Sequence, residues 1–313
     1  MDKNLFEELK KEVTNEVYED EQTLQKFSHD ASIFEVNPRA VVFPKSTDDI
    51  KNLVNFVNNH KKAHPFLSIT ARSAGTDMGG GSLNDSIIVS FTEHFNNIVG
   101  IEGNIATSEP GVYYRDFEKY TLNHGLIFPS YPASREICAI GGIVNNNSGG
   151  EKSFEYGKTE NFVKKLKMVL SDGNEYEFKA LNDRELAEKL LLDNLEGKVY
   201  REMHALITKN YDEIIAAKPK VSKNSAGYFL WNIYNKEKNV FDLCKLFTGA
   251  QGTLGIMTEA SLELIPVKKH SEMLVVFLEQ KDMDNLGHII NKILPLKPES
   301  IETYDDNTLK LAV

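Results

Sequence analysis

The sequence predicts an α+β fold, and three observations carry that prediction. Apolar runs flank an amphipathic helical stretch through residues 41–70, which reads as a βαβ unit. Two further runs flank the dipeptide Asp172-Gly173, a signal for an antiparallel hairpin. Three glycine-dense segments punctuate the chain: residues 71–82, 140–150 and 249–256. At 313 residues, 41% hydrophobic and 26% charged, the chain has a globular balance and, as a prior, about two domains.

In chain order, Leu5, Phe6, Leu9, Val13 and Val17 recur at helical spacing and predict an amphipathic N-terminal helix. Val41-Val42-Phe43 reads as a short buried strand. Ser46 follows as an N-cap, with Asp48 and Asp49 in the first helical turn. Ile50, Leu53, Val54 and Val57 form one apolar face of that helix, which should end near His60, ahead of Pro65. Residues 66–70 are the next strand, and the first glycine segment follows it directly. Strands are also expected at 87–90 and 105–109, then a helix over 114–123 that stops at Gly125. The hairpin comprises 163–170 and 175–178; residues 183–217 read as mostly helical, and 261–265 as a strand. Beyond Pro266, residues 273–278 and 299–304 are expected as strands around a helix with Leu286, Ile289, Ile290 and Ile293 on one face. This last unit has too little to bury by itself.

Bulk properties exclude several functions. A formal net charge of −10 argues against nucleic-acid binding and against a polybasic membrane anchor. No apolar run approaches the roughly 20 residues of a membrane span, and the charged N-terminus has no signal core, so the expectation is a cytoplasmic protein, peripheral at a membrane only through a partner. Two cysteines, Cys138 and Cys244, cannot build a disulfide framework and read as reduced thiols. His60 and His64 sit i, i+4 at a helix end without an obvious third ligand, so no metal site is expected.

The glycine segments are where chemistry is expected. Residues 75–82 have the outline of a phosphate loop, but Gly81 stands where the lysine must be. Gly249, Gly252 and Gly255 give G-x-x-G-x-x-G, not the dinucleotide fingerprint. What remains is a set of turns whose backbone N–H groups can form anion-binding nests, with Ser73, Thr76 and Ser134 as further donors. Three such loops in one chain point to a large phosphate-bearing cofactor held mainly by backbone.

Ordered motifs then resemble one family. Pro38-Arg39-Ala40-Val41-Val42-Phe43-Pro44 is similar to the entry strand of the FAD-binding domain of the vanillyl-alcohol oxidase / p-cresol methylhydroxylase superfamily. Residues 72–81 resemble its pyrophosphate loop, Glu109-Pro110-Gly111-Val112 its E-P-G-V turn, and residues 140–150 its segment near the flavin. Tyr156-Gly157, Asp172-Gly173, the run Lys223-Asn224-Ser225-Ala226-Gly227-Tyr228 and residues 249–259 follow in the family's order. Within the superfamily the likeness is to D-lactate dehydrogenases, the glycolate oxidase FAD subunit and D-2-hydroxyglutarate dehydrogenases. Departures are Gln251 for an acidic residue, Tyr131 for an aspartate, and Asp77-Met78 in the first loop.

The resemblance implies a PCMH-type FAD-binding domain of two α/β subdomains over residues 36–268. A helical arm would precede it over 1–35, and a truncated ferredoxin-like cap domain would begin over 271–313. It implies FAD contacts from Arg72, Ser73, Ala74, Gly75, Thr76, Asp77, Pro110, Gly111, Pro132, Ala133, Ser134, Ile140, Gly141, Gly142, Asn145, Asn146, Ser148, Gly149, Gly255 and Ile256. Lys223, Asn224 and Tyr228 would lie on the substrate side; catalytic residues stay unassigned, because the family's catalytic ligands lie in the cap region. FAD should be non-covalent: Thr76 stands where linked relatives carry histidine, and the spacing of Cys138 does not fit a second link. The implied reaction oxidises a 2-hydroxy acid such as D-lactate, glycolate or D-2-hydroxyglutarate to the 2-oxo acid. Electrons would pass to a quinone, cytochrome, flavoprotein or iron–sulfur module, and further copies of the chain are partners in any homo-oligomer. The alternatives are a stand-alone FAD electron-transfer subunit and an enzyme like UDP-N-acetylenolpyruvoylglucosamine reductase.

Overall fold

In the computed structural model the described residues are 2–14, 16–221 and 224–312. The first sheet is built by the N-terminal third. Helix α1 (Lys3–Glu12) is capped by Asp2, whose carboxylate accepts from Leu5 N at 2.9 Å, and buries Leu5, Phe6 and Leu9. It ends at Val13, and Val17 falls instead in strand β1 (Val17–Tyr18), so the apolar period outruns the helix. Helix α2 (Glu21–Phe27), strand β2 (Ala40–Val42) and helix α3 (Thr47–His60) follow. Ser46 and Asp49 close a reciprocal capping box on α3, as the N-cap signal predicted. Strands β3 (Ile69–Arg72) and β4 (Ile87–Ser90) complete a sheet of order β1-β2-β4-β3, parallel except for β1.

The predicted βαβ unit therefore exists, but β2 and β3 are not neighbours: β4 inserts between them. The predicted strand at 66–70 begins only at Ile69. Alternation sorts the side chains onto two faces. Ala40, Val42, Ile87 and Val89 pack under α1 and α3, while Val41 and Ile88 meet Phe27 of α2. The expected N-terminal arm thus supplies one edge strand and a helix on each face of this sheet.

The second body is antiparallel. Strands β5 (Ile98–Glu102) and β6 (Ile105–Ser108) lead into helix α4 (Tyr114–Leu122) and strand β7 (Leu126–Ile127). Helices α5 (Ile140–Asn145) and α6 (Ser153–Tyr156) precede the hairpin of β8 (Val163–Val169) and β9 (Glu175–Leu181). Gly173 turns that hairpin with φ +74°, open to glycine at little cost. Helices α7 (Asp183–Leu190), α8 (Leu195–Lys209) and α9 (Tyr211–Ala216) cover residues predicted as helical. Strands β10 (Tyr234–Asn235) and β11 (Val240–Asp242), helix α10 (Cys244–Phe247) and strands β12 (Ile256–Glu263) and β13 (Ile265–Pro266) complete the body. The sheet order is β10-β11-β9-β8-β12-β6-β5, with β13 paired to β7 apart from it.

The two bodies share a core boundary. Val169, at the end of β8, and Ile256, at the start of β12, bury among residues of the first sheet's core. The loops after β3 and before β12 therefore meet at the junction.

The C-terminal segment departs from expectation. Helix α11 (Leu286–Ile293) forms, followed by helix α12 (Asp306–Ala312), but residues 273–278 and 299–304 carry no strand. Met273, Leu274 and Phe277 are more than four-fifths exposed, so β-propensity there finds no pairing strand and no face to cover. The expected start of a ferredoxin-like unit does not form among the described residues.

Candidate cofactor site

The three glycine segments converge. Ser73, just past β3, donates its hydroxyl to Pro110 O at 3.0 Å, and Gly141 N donates to the same carbonyl at 2.8 Å. A Cβ on Gly141 would stand 2.8 Å from Pro110 Cβ and 3.3 Å from Ser73 Oγ, so glycine permits this approach. On the third segment, Gly249 N donates to Val144 O and Gln251 N to Asn145 O, both at 3.0 Å. Gln251 Nε2 reaches Asn146 Oδ1 at 2.9 Å, and its side-chain oxygen lies 3.6 Å from where a Gly81 Cβ would stand. The glutamine that replaces an acidic residue thus ties the third segment to the second and lies close to the first.

The first loop is rich in unspent donors. The backbone N–H groups of residues 73–80 find no acceptor among the described residues, and the next, Gly81 N, caps onto Asp77 Oδ2 at 2.8 Å. Ser90 Oγ is buried without a hydrogen-bond partner among the described residues, and Ser90, Arg72, Ser73, Ala74 and Tyr113 line a cavity of about 110 Å³ at the ends of β3 and β4. Unpaired backbone donors beside a buried orphan hydroxyl suit a ligand bearing a diphosphate, so the residues fit a dinucleotide such as FAD. A larger cavity, about 440 Å³ beside Tyr211, Trp231, Asn232 and Lys245, contains none of the glycine-segment residues. Its cations are committed: Lys245 Nζ donates to Glu160 O, and Lys236 Nζ lies 3.5 Å from the Tyr211 ring centroid.

Several expected contact residues occupy other roles. The Arg72 guanidinium is buried and donates to Phe27 O at 3.2 Å and His29 O at 2.7 Å; burial pulls its pKa below the usual value. Gly75 bends over it at φ +67°, where a Cβ would fall 2.5 Å from the guanidinium. Arg72 thus shapes the first loop from beneath. A Cβ on Gly111 would point at Phe91 O from 2.1 Å, which makes Gly111 a packing position. Ala74, Thr76 and Asp77 line the half-buried loop with Ser73. Ile140 N is bonded to Val112 O, whereas Gly142 N, near the start of α5, has no acceptor among the described residues; a Cβ on Gly142 would meet Ser73. Asn145 donates to Gly141 O, Asn146 to Ser148 Oγ, and Gly149 and Gly150 follow at the rim. Pro132, Ala133 and Ser134 form a turn beside this rim, where a Gly150 Cβ would come 3.3 Å from Pro132. Gly255 and Ile256 enter β12 at the core boundary.

On the other flank, Lys223 lies outside the described residues. Tyr228 OH is 2.7 Å from Thr253 Oγ1 on the third segment, and Asn224 O accepts from Lys158 Nζ at 2.7 Å. Lys158 was not foreseen. It is buried and reaches Ser225 Oγ at 3.2 Å, pinning residues 224–228 beside the site. Its only sequence signal is its place after Tyr156-Gly157. Glu160 was also missed. It pairs reciprocally with Asn147, which holds φ +46° in the second segment: Glu160 N donates to Asn147 Oδ1 at 2.9 Å and Asn147 Nδ2 to Glu160 Oε2 at 3.3 Å. Burial pushes the Cys138 thiol up to about 11. No group of three His, Cys, Asp or Glu that could hold a metal occurs among the described residues, and no helix among them is long and apolar enough to cross a membrane.

Residues 38–179 match the model of a family described as "FAD binding domain". Those residues carry an FAD-binding domain of the PCMH type. The chain is a distant homologue of flavin-linked oxidoreductases. D-2-hydroxyglutarate dehydrogenase of Escherichia coli strain K12 is 31% identical over 288 residues, which is 91% of this chain and 28% of that protein. Glycolate oxidase subunit GlcD of Bacillus subtilis strain 168 is 29% identical, covering 90% of this chain and 49% of that protein. D-lactate dehydrogenase of Archaeoglobus fulgidus is 26% identical, covering 85% and 49%. The chain thus spans between about a quarter and a half of these relatives. The solved structure of an alkyldihydroxyacetonephosphate synthase superposes with a TM-score of 0.58 at 16% identity, covering 86% of this chain and 41% of that one, and so shares the fold of the FAD-binding domain.

Proposed function

We propose that the chain binds FAD non-covalently where the two sheets meet and serves oxidation of a 2-hydroxy acid such as D-lactate, glycolate or D-2-hydroxyglutarate to its 2-oxo acid. The run of unpartnered N–H groups at 73–80, drawn against Pro110 and Gly141 from two other segments, carries this reading. The names of the relatives support the substrate class.

FAD bound there would supply the two-electron acceptor for a hydride leaving the carbinol carbon. The N–H groups of residues 73–80 and of Gly142 would meet the diphosphate. Pro132, Ala133, Ser134, Ser148 and Gly149 would hold the ring side. The strap of Asn224 and Tyr228, held by Lys158 and Thr253, would wall the substrate side. A covalent link is disfavoured: residues 71–82 contain no histidine, and the buried Cys138 stays a thiol at neutral pH, a poor nucleophile.

The test is an absorbance spectrum of the purified chain before and after acid precipitation, followed by anaerobic addition of the three hydroxy acids. Flavin bands that move to the supernatant and bleach with one acid are expected. A colourless protein that takes up no added FAD would overturn the cofactor reading; flavin left in the pellet would overturn the non-covalent one. Flavin that none of the acids bleaches, in the chain together with any continuation of its reading frame, would overturn the substrate class.

A further inference from the structure

Residues 132–134 open a turn that runs on to Ile137. Pro132 has no N–H, Ala133 is exposed, and Ser134 O accepts from Ile137 N at 2.9 Å and Cys138 N at 2.8 Å. Tyr131 and Arg135, on either side of 132–134, are bolted down. Tyr131 OH donates to Glu151 Oε1 at 2.8 Å, and a Cβ on Gly150 would fall 2.2 Å from Tyr131 O, so the second glycine segment seats directly on this residue. On the other flank, Arg135 Nη2 lies 2.5 Å from Glu118 Oε2 on α4. The guanidinium also covers the Tyr131 ring at 4.7 Å from its centroid, which joins the two flanks across the turn.

Glu118 is only 7% exposed. Burying a carboxylate that deep is costly unless a cation pairs with it, and an apolar pair of the same size would serve stability as well or better. Its second oxygen receives Tyr114 OH at 3.3 Å; that hydroxyl also lies 2.9 Å from Phe128 O. The pair fixes a direction as well as filling space: it sets where residue 135, and with it the turn, sits relative to α4.

We propose that Arg135 and Glu118 are positioning residues that lock the turn at 132–134 between α4 and the second glycine segment, and that this lock governs how firmly FAD is held. The proposal rests on the FAD reading above. Tyr131, which stands in place of an acidic residue, is its third member and links the ion pair to Glu151.

The deciding variant is E118Q/R135Q, which removes both charges so that neither is left buried alone. The expected result is a melting temperature within a few degrees of wild type without FAD, FAD affinity at least tenfold weaker by fluorescence titration, and displaced absorbance bands in the flavin that still binds. Amide exchange of residues 131–137 in the cofactor-free protein should quicken. R135K, which keeps the charge, should restore affinity to within threefold of wild type. A folded double variant with wild-type affinity, bands and exchange would overturn the proposal. Should the double variant not fold, Y131F decides, since it removes one hydrogen bond from the same lock: several-fold weaker binding is expected, and unchanged binding and exchange refute the lock. A wild-type chain that takes up no FAD refutes the cofactor reading, and the exchange measurement on cofactor-free protein then still decides whether the lock exists.

Discussion

Replacing Gly142 by alanine separates the cofactor site from the fold. A Cβ at Gly142 would meet Ser73 Cβ at 3.7 Å and Ser73 Oγ at 4.0 Å, ordinary contact distances, so the cofactor-free protein accommodates the methyl group without strain. Alanine is also the better helix former, worth up to about 1 kcal/mol in a helix interior and less here in the first turn of α5. That corresponds to at most about 2–4 °C in melting temperature. The same methyl group, however, occupies the strip between α5 and the first loop, beside the unspent Gly142 N–H. Blocking one hydrogen bond to a charged ligand costs about 1.5–3 kcal/mol, or roughly 10- to 150-fold in FAD affinity. Gly141→Ala is the control. Its Cβ would stand 2.8 Å from Pro110 Cβ and 2.9 Å from Pro110 O, so it should cost about 1–3 kcal/mol of stability and lower affinity and melting temperature together. Differential scanning fluorimetry without FAD and fluorescence titration with it read the two effects separately. If G142A binds FAD as wild type does, the cofactor does not pass between α5 and the first loop, and the reasoning fails.

Other perturbations test the supports of the site. Arg72→Lys gives up the fork that serves two carbonyls and should cost about 1.5–3 kcal/mol, seen as a melting point several degrees lower; an unchanged melting point would show that the fork is not needed. Lys158→Met frees Asn224 O and Ser225 Oγ and should loosen the strap locally by about 1–3 kcal/mol, so that trypsin cuts faster at Lys218 and Lys220 with little change in the global melting point. His60 joins α3 to α1: its ring bonds Phe56 O at 2.8 Å and Glu8 Oε1 at 3.2 Å, and its pKa is raised chiefly by the Phe56 carbonyl, with Glu8 adding to that and burial opposing it. A raised folded-state value adds stability that is full below about pH 6.5 and fades as pH rises through the folded value, by about 0.2–1 kcal/mol for such a pair. Melting temperature should therefore fall between pH 6 and 8 in wild type, relative to the His60→Gln variant; parallel profiles would refute this.

What the sequence shows of the fold is what local chemistry decides. Ser46 and Asp49 announce the start of α3 because both halves of the capping box lie within one turn. Asp172-Gly173 announces the β8–β9 turn for a similar reason. The placing of β4 between β2 and β3 leaves no such mark, since strand order depends on which apolar faces meet after collapse. Strand β5 was missed because Gly100 and a register shift interrupt it and much of it faces solvent. Residues 273–278 fail in the opposite sense: strong β-propensity is present and a partner is not, because a strand is a property of a pair.

The site divides along the same line. Its glycines are visible in sequence because each close approach forbids a side chain, as Pro110 does at Gly141 and Phe91 O does at Gly111. Sequence alone does not distinguish a glycine that faces a ligand from one that faces the protein's own backbone. Gly142 and Gly111 read alike, yet a Cβ on one would meet only Ser73 at ordinary contact distance, while a Cβ on the other would enter a carbonyl. Nor does sequence reveal which charges support the loops. Lys158, Glu160, Arg135 and Glu118 look like ordinary surface residues, and they become supports because distant segments bring Asn224, Asn147 and one another within reach. The backbone cradle is thus written locally, and the charged brackets behind it are written only in the tertiary structure. Substitutions at the brackets should therefore loosen the cradle without altering any residue in it, which is the outcome that distinguishes positioning from contact.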